Sequence, residues 1–501
     1  MTNKIKIHGF CEPRFEVVKD VFSRNFEEEM EVGASFAATI NSKYVIDIWG
    51  GFKDEERTQP WEKDTICNVY STTKVPTVLC SMICVDRGLL DLDEKVATYW
   101  PEFAQNGKEN ILVRHLLSHT SGLAGIEETV PSNVWYDWEK VIKLLAAQKP
   151  WWEPGTKSGY HAITHGFLLG ELVRRATGKT LGKFFMEEIA APLNIDFHIG
   201  LAEKHLPRVS RLIPPAPVMD FIFLILGAIF DQANNSKVIK DAIKNLEKVI
   251  HLDFGDDDIF TLKVQQGKFD FNAEKIDTPD CTFTVTKETA GVINWLFSEI
   301  NEEPDYVSAH LKMKGNSEDI KKIKEIFELV GNEIRKTGPV GLKMSLNPIS
   351  LRDRSYDREW QAAEVPAANG HGNARSVAKV ASIIACEGEV DGIRFISQET
   401  LEKILEEQIY SRDLVMPYPL RWGLGVGLPS KEMPFPHSRT CFWGGAGGSA
   451  ITMDLETHLS IGYVMNKMRN QTIEETRTNK YHSDTRGDRL ITAVFESLGY
   501  I

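Results

Sequence analysis

The stretch Tyr70-Ser71-Thr72-Thr73-Lys74-Val75-Pro76-Thr77-Val78-Leu79-Cys80-Ser81-Met82-Ile83-Cys84-Val85-Asp86-Arg87-Gly88 decides how this chain is read. Val75, Val78, Leu79, Met82, Ile83 and Val85 give a broad apolar face at helical spacing, and Gly88 stops it. Pro76 falls early, where a missing N–H costs least. The pattern predicts a mostly buried helix with Ser71 at its N-terminal end and Lys74 one turn further on the same face. A serine hydroxyl is a poor nucleophile at neutral pH until a base takes its proton. Desolvation or nearby positive charge can lower a lysine pKa enough for that task. The N–H dipoles at the helix start favour developing negative charge beside Ser71. Taken alone, a serine and a lysine three apart recur by chance, and a capping serine with a solvated lysine is the ordinary reading.

Working outward, Ala34 to Ile40 and Tyr44 to Trp49 alternate apolar and polar residues around Asn41-Ser42-Lys43, which predicts a hairpin. Helical spacing precedes it, from Phe15 to Phe26. Further helices are predicted at Val113 to Leu117, Trp138 to Gln148, Thr164 to Thr177 and Leu181 to Ala191. Strands return at Ala450 to Met453 and Leu459 to Val464, and a helix from Arg486 to Leu498 follows. Strands at both ends and helices between them predict an α+β chain, an α/β sandwich whose antiparallel sheet joins the termini. Residues 234–338 carry an α+β pattern of their own: a helix from Val238 to Val249, strands at 259–264, 268–271 and 281–285, then two helical stretches. The expected division is therefore 1–233, an inserted domain at 234–338, and 339–501.

The chain has 501 residues, 42% of them apolar, and a formal net charge of -13. Such an acidic balance argues against a nucleic-acid partner, which needs a basic surface. Its seven scattered cysteines form no Cys-x-x-Cys pair, which points to a reducing, cytoplasmic setting and not to a disulfide framework or zinc site. No apolar signal core follows Met1, and the longest apolar run, Phe221 to Phe230, falls short of the roughly 20 residues of a membrane span. That run reads as a buried helix or strand, or as a lipid-facing lid.

Five further motifs accompany Ser71 and Lys74. They are Asp86-Arg87-Gly88-Leu89-Leu90-Asp91-Leu92-Asp93, Arg114-His115-Leu116-Leu117-Ser118-His119-Thr120-Ser121-Gly122-Leu123, Glu153-Pro154-Gly155 with Ser158-Gly159-Tyr160-His161-Ala162, Asn369-Gly370-His371-Gly372-Asn373-Ala374-Arg375-Ser376, and Trp443-Gly444-Gly445-Ala446-Gly447-Gly448-Ser449. In this order the chain resembles the serine β-lactamase and penicillin-binding-protein superfamily, nearest its class C and esterase-like branch, over roughly 10–230 and 340–501. The resemblance implies a β-lactamase-like sandwich: an antiparallel sheet flanked by helices, plus an all-helical region. It implies Ser71 as nucleophile, Lys74 beside it and Tyr160 as general base or acid. It also implies backbone N–H groups of Ser71 and Ala446 as the oxyanion hole, and Trp443, Gly444, Gly445, His161 and His371 around the substrate. His115 and His119, four apart, could hold a metal; the family pattern makes them structural, and no metal or cofactor is expected.

Two departures bear on substrate. The family's Tyr-x-Asn reads Tyr160-His161-Ala162, without the amide that contacts a lactam side chain. Its Lys-Thr-Gly signature reads Trp443-Gly444-Gly445, without a cation for a carboxylate. Both favour a neutral or apolar acyl substrate over an antibiotic. The runs Pro279 to Val285 and Ala309 to Asn316 in the insert resemble a sterol-carrier-protein type lipid-binding fold, which implies an apolar tunnel. The expected activity is therefore hydrolysis of an ester or amide through an acyl-enzyme at Ser71, with a small-molecule substrate and a lipid among the candidates. The alternatives are a peptidase of the same fold and a non-catalytic lipid-binding scaffold.

Overall fold

Asn41 and Ser42 both take positive φ, 50° and 61°, the geometry that matches a tight turn to the twist of its strands. They join strands Gly33–Ile40 and Lys43–Gly51, which form the hairpin at the heart of a six-stranded antiparallel sheet. The sheet runs Ile7–Cys11, Lys43–Gly51, Gly33–Ile40, Leu459–Met465, Ala450–Asp454, Thr440–Gly444, so strands from both ends of the chain lie side by side. The computed structural model describes residues 5–215, 219–351, 353–416, 418–469 and 484–501.

Alternation fixes the layers, because successive side chains of a strand face opposite sides. Phe36, Ala38, Ile46, Ile48, Ile461 and Tyr463 face one side, where they pack with Phe15 and Phe22 near one end of the chain and Leu490, Val494 and Phe495 near the other. Those residues lie on or beside helices Glu16–Glu27 and Thr485–Ser497. On the other side, Ser460 donates to the Ala378 carbonyl and Ser35 accepts from the Ala374 N–H, which seats helix Ala374–Ala385. The result is the expected sandwich, with an α+β fold class. Helix Lys74–Asp86 is buried along nearly its whole length and packs on Thr164–Thr177 in the helical region. A smaller sheet, ordered Phe197–His198, His371–Gly372, Ile66–Asn68, Val209–Ser210, sets the strand that leads into Ser71.

The chain divides into two compact units. The first comprises Met1–Ala124, Trp135–Pro215 and Arg354–Ile501; the second comprises Gly125–Val134 and Ala216–Asp353. The second unit extends beyond 234–338 on both sides. Helix Met219–Ala233 belongs to it because Leu226, Ile229, Phe230 and Ala233 enter its core. This helix carries the Phe221–Phe230 run. Phe223 stacks on Phe271 at 5.0 Å, and Phe230 meets Phe269, Phe297 and Phe327. Leu224 on the same helix is exposed. Among the described residues no helix is long and apolar enough to cross a membrane.

The five-stranded sheet of this unit runs Lys312–Gly315, Cys281–Thr284, Lys248–Asp253, Ile259–Gln265, Lys268–Asn272, with one parallel pair, Lys248–Asp253 beside Cys281–Thr284. The helix expected from Val238 to Val249 is only Lys237–Ile243. Lys248 and Val249 start a strand instead, because Ile250 and Leu252 fill the centre of the sheet between two partners. Long-range pairing there overrides a local helical period.

Candidate active site

Ser71 sits on a single 3₁₀ turn, Tyr70–Thr73, that runs into helix Lys74–Asp86. With three residues per turn, positions i and i+3 eclipse, which brings Lys74 over Ser71. Tyr70 takes φ 43°, a left-handed conformation that costs a non-glycine residue energy and is held by its surroundings. Thr73 Oγ1 donates to the Tyr70 carbonyl at 2.5 Å and accepts from the Gly370 N–H at 2.9 Å, while the Val69 N–H reaches the Gly370 carbonyl at 2.9 Å. The Asn369-Gly370 motif thus braces the serine turn.

The Tyr160 hydroxyl donates to Ser71 Oγ at 2.7 Å. Lys74 Nζ lies 3.2 Å from the same oxygen, 2.6 Å from the Ala162 carbonyl and 3.0 Å from the Ala367 carbonyl. Burial, with no charge compensating it, pushes the Lys74 amine well below its ordinary range. Burial likewise pushes the Tyr160 phenol up, outweighing its bond to Ser71. A neutral amine has two N–H groups and one lone pair. With two carbonyls taking N–H groups, loss of a proton from Lys74 would leave its lone pair toward the Ser71 hydroxyl. The arrangement is a directed chain in which Tyr160 O–H points to Ser71 and Ser71 O–H can point to Lys74.

Neighbouring groups hold Tyr160. Asp413 Oδ1 accepts its N–H at 3.0 Å and those of Val415 and Met416 at 2.9 and 3.0 Å. His119 brackets it from behind: its carbonyl accepts the Gly159 N–H at 3.1 Å and its Nδ1 accepts the His161 N–H at 3.1 Å. Trp443 Nε1 lies 3.4 Å from the phenol oxygen, and the Trp422 ring is nearly parallel to the Tyr160 ring at 6.2 Å. Sequence reasoning missed Asp413 and Trp422, which have no local motif, and the carbonyls of Ala162 and Ala367, which have no side-chain signature.

The glycine run after Trp443 turns back on itself. Gly445 N–H bonds the Ser449 carbonyl at 2.8 Å, and Gly448 N–H bonds the Gly445 carbonyl at 3.1 Å. A Cβ at Gly445 would stand 2.1 Å from the Val69 carbonyl, so only glycine lets this turn lie against the serine turn. Ala446 follows, its N–H meeting no acceptor among the described residues. A cleft of about 370 Å³ opens here, lined among others by Ser71, Tyr160, Met416, Trp443, Ala446 and Arg469.

Two expected substrate contacts are not in its lining. His161 is buried, with Nε2 2.7 Å from Ser121 Oγ and Nδ1 2.6 Å from the Gly159 carbonyl. His371 is buried on the small sheet, with Nδ1 2.8 Å from the Asn369 carbonyl. Both rings serve backbone carbonyls of the motifs that contain them. His115 accepts the Leu112 N–H at the start of its helix, a structural role. Elsewhere Asp196, His198 and His205 come together, but Arg208 bonds both Asp196 oxygens, at 2.6 and 3.0 Å, and His205 Nδ1 at 2.7 Å. That cluster is an ion-paired network with its acceptors occupied.

The family model described as Beta-lactamase matches residues 22–221 and 330–482. The chain belongs to that family. A second model, the SCP-2 sterol transfer family, matches residues 226–328 within the second unit. The "Esterase/beta-lactamase LipL" of Mycobacterium tuberculosis is 27% identical over 92% of this chain and 83% of its own length. The "Acyltransferase mokF" of Monascus pilosus is 33% identical over 28% of this chain and 40% of its own. A solved family VIII carboxylesterase is 30% identical, with a TM-score of 0.66 over 98% of this chain and all of that one. The chain is a serine hydrolase of esterase-like type.

Proposed function

We propose that Ser71 is the nucleophile of an esterase whose acyl group is hydrophobic. The observation that carries this is the position of Ser71 Oγ, 2.7 Å from the Tyr160 hydroxyl and 3.2 Å from Lys74 Nζ, an amine whose burial drives its pKa well down. Lys74 takes the Ser71 proton as Oγ bonds the ester carbonyl carbon. The N–H groups of Ser71 and Ala446 receive the oxyanion. Collapse breaks the bond to the alkoxide, which takes the Tyr160 proton, and the Lys74 ammonium returns a proton to the phenolate. Water then repeats the sequence on the acyl-enzyme.

Trp443 in place of a cation, and the largely apolar cleft wall it shares with Met416, support a neutral acyl group. The lipid-carrier likeness of the second unit supports a lipid-like substrate, and we assign residues 234–338 as the inserted domain. None of the seven cysteines forms a disulfide, which supports a reducing, cytoplasmic setting. Resolution of the acyl-enzyme by an alcohol is a second reading, favoured by the acyltransferase likeness. A fluorophosphonate probe tests the assignment: wild type is labelled and Ser71→Ala is not. Equal labelling of the two would remove Ser71 from the reaction. Esters of graded chain length then identify the acyl group, with long chains expected to be preferred.

A further inference from the structure

The glycine turn that presents Ala446 is fastened from behind by a guanidinium that lies outside the residues matched to the family. Arg486 opens the last helix, Thr485–Ser497, and is fully buried. Its Nη2 donates to the Gly447 carbonyl at 2.9 Å. Its Nη1 donates to the Lys467 carbonyl at 2.8 Å, the Met30 carbonyl at 3.1 Å and Glu31 Oε2 at 2.8 Å. Nε bonds Asp484 Oδ2 at 2.9 Å, and Nη2 bonds the same oxygen. The Arg469 N–H reaches the Gly447 carbonyl too, at 3.1 Å. One side chain therefore links the end of strand Leu459–Met465, the entry to strand Gly33–Ile40, the last helix and the glycine turn.

The turn has little stiffness of its own. Gly447 and Gly448 take φ 85° and 127°, and glycine at such angles has many alternative conformations. The Gly447 carbonyl shares a peptide plane with the Gly448 N–H, which bonds the Gly445 carbonyl at 3.1 Å, and that carbonyl shares a plane with the Ala446 N–H, so holding the first plane holds the second. A Cβ on Gly448 would stand 2.4 Å from Asp484 Oδ2 and 2.8 Å from Arg486 Nη2, so turn and ion pair are in contact. Burial alone would lower the Arg486 pKa, but Glu31, Tyr463 and Asp484 hold it well above its ordinary value, so its donors are permanent.

We infer that Arg486, neutralised by buried Glu31 and Asp484, is a positioning residue that holds the Gly447 carbonyl and thereby aims the Ala446 N–H at the oxyanion formed on Ser71. This rests on the acyl-enzyme reading above. Its consequence is specific: loss of the clamp weakens the transition state and leaves ground-state binding alone, because the carbonyl oxygen becomes charged only during reaction.

The test uses the full chain with a chromogenic ester and the fluorophosphonate probe. Arg486→Lys keeps the charge but cannot span Asp484, Glu31 and Gly447 together. The expected result is a kcat reduced about 30-fold, a KM within twofold of wild type and a labelling rate reduced as much as kcat, in the range seen when oxyanion donors are disturbed. Val494→Ala, in the core of the same helix, controls for lost stability and is expected to keep kcat within twofold. If Arg486→Lys does not fold, Asp484→Asn with Arg486→Met removes one charge of each sign and carries the same expectation. A folded variant with kcat within threefold of wild type overturns the inference, as does a loss shared with Val494→Ala in proportion to melting temperature. Wild type that is not labelled at Ser71 would instead overturn the acyl-enzyme reading itself.

Discussion

Lys74 and Arg486 are both cationic side chains buried completely at the cleft, and the structure treats them in opposite ways. Lys74 has carbonyl oxygens around it and no carboxylate contact among the described residues, so burial drives it toward the neutral amine. Arg486 has Glu31 and Asp484 against it, so it stays charged. Glu31 carries the strain of that arrangement: burial pushes its carboxyl up to about 7 despite the guanidinium. Desolvation favours whichever state leaves no naked charge. For an amine among dipoles that state is the proton acceptor; for a guanidinium among carboxylates it is a fixed strut. One cleft thus holds a group built to change charge and a group built to keep it.

Exchanging the two chemistries at position 74 should break the contrast most severely. Lys74→Arg places a guanidinium that does not deprotonate where the lone pair is needed, without a counter-ion. A loss of kcat/KM of about 1,000-fold is expected, within the range for removing a general base, together with a lower melting temperature from an uncompensated buried charge. The same contrast has a pH signature. A base whose pKa is depressed is inactive when protonated, so kcat/KM should fall as pH drops through the folded-state pKa of Lys74, about tenfold per pH unit on the acid limb. Stability should fall over a higher range, as pH drops from about 10.5 to the folded-state pKa of Lys74, where the unfolded chain takes up a proton that the folded chain refuses, and level off below it. A profile with no acid limb at any pH at which the enzyme stays folded would deny Lys74 the role of base.

Tyr160→Phe comes next. The ring and its stacking remain, while the donor to Ser71 and to the leaving alkoxide is gone, so kcat should fall about 100-fold with little change in melting temperature. The acid limb should persist, since it belongs to Lys74. Its disappearance in this variant would move the base to the tyrosine.

Local pattern accounts for what the sequence made readable. The hairpin at Asn41 and Ser42, the helix after Ser71 and most helices of the first unit were legible because each rests on a period of two or 3.6 within one element. The Ser71, Lys74 and Tyr160 convergence was legible only through the family likeness, because residues 89 positions apart carry no local sign of contact. Strand Lys248–Asp253 was misread as helix because its partners lie elsewhere in the chain. His161 and His371 were placed in the cleft because they sit inside its motifs, yet side chains next to a catalytic position often face inward to hold it. Arg486 was invisible for the opposite reason: one arginine in a polar stretch reads as solvated, and only packing shows Glu31 and Gly447 around it.

Trp443 should give the smallest effect and the finest discrimination. Its indole N–H points at the Tyr160 oxygen from 3.4 Å, a long contact, and its ring packs against both Tyr160 and Trp422. Trp443→Phe keeps the apolar wall and removes the donor. A net hydrogen bond is worth roughly 0.5–1.5 kcal/mol, so a kcat reduced about 3- to 10-fold is expected if the indole stabilises phenolate character on Tyr160 as the alkoxide departs. Such stabilisation matters most for poor leaving groups, which need the full proton. The loss should therefore be larger for an alkyl ester than for a nitrophenyl ester of the same acid. An equal loss for both would mean that Trp443 shapes the cleft and does not tune the phenol.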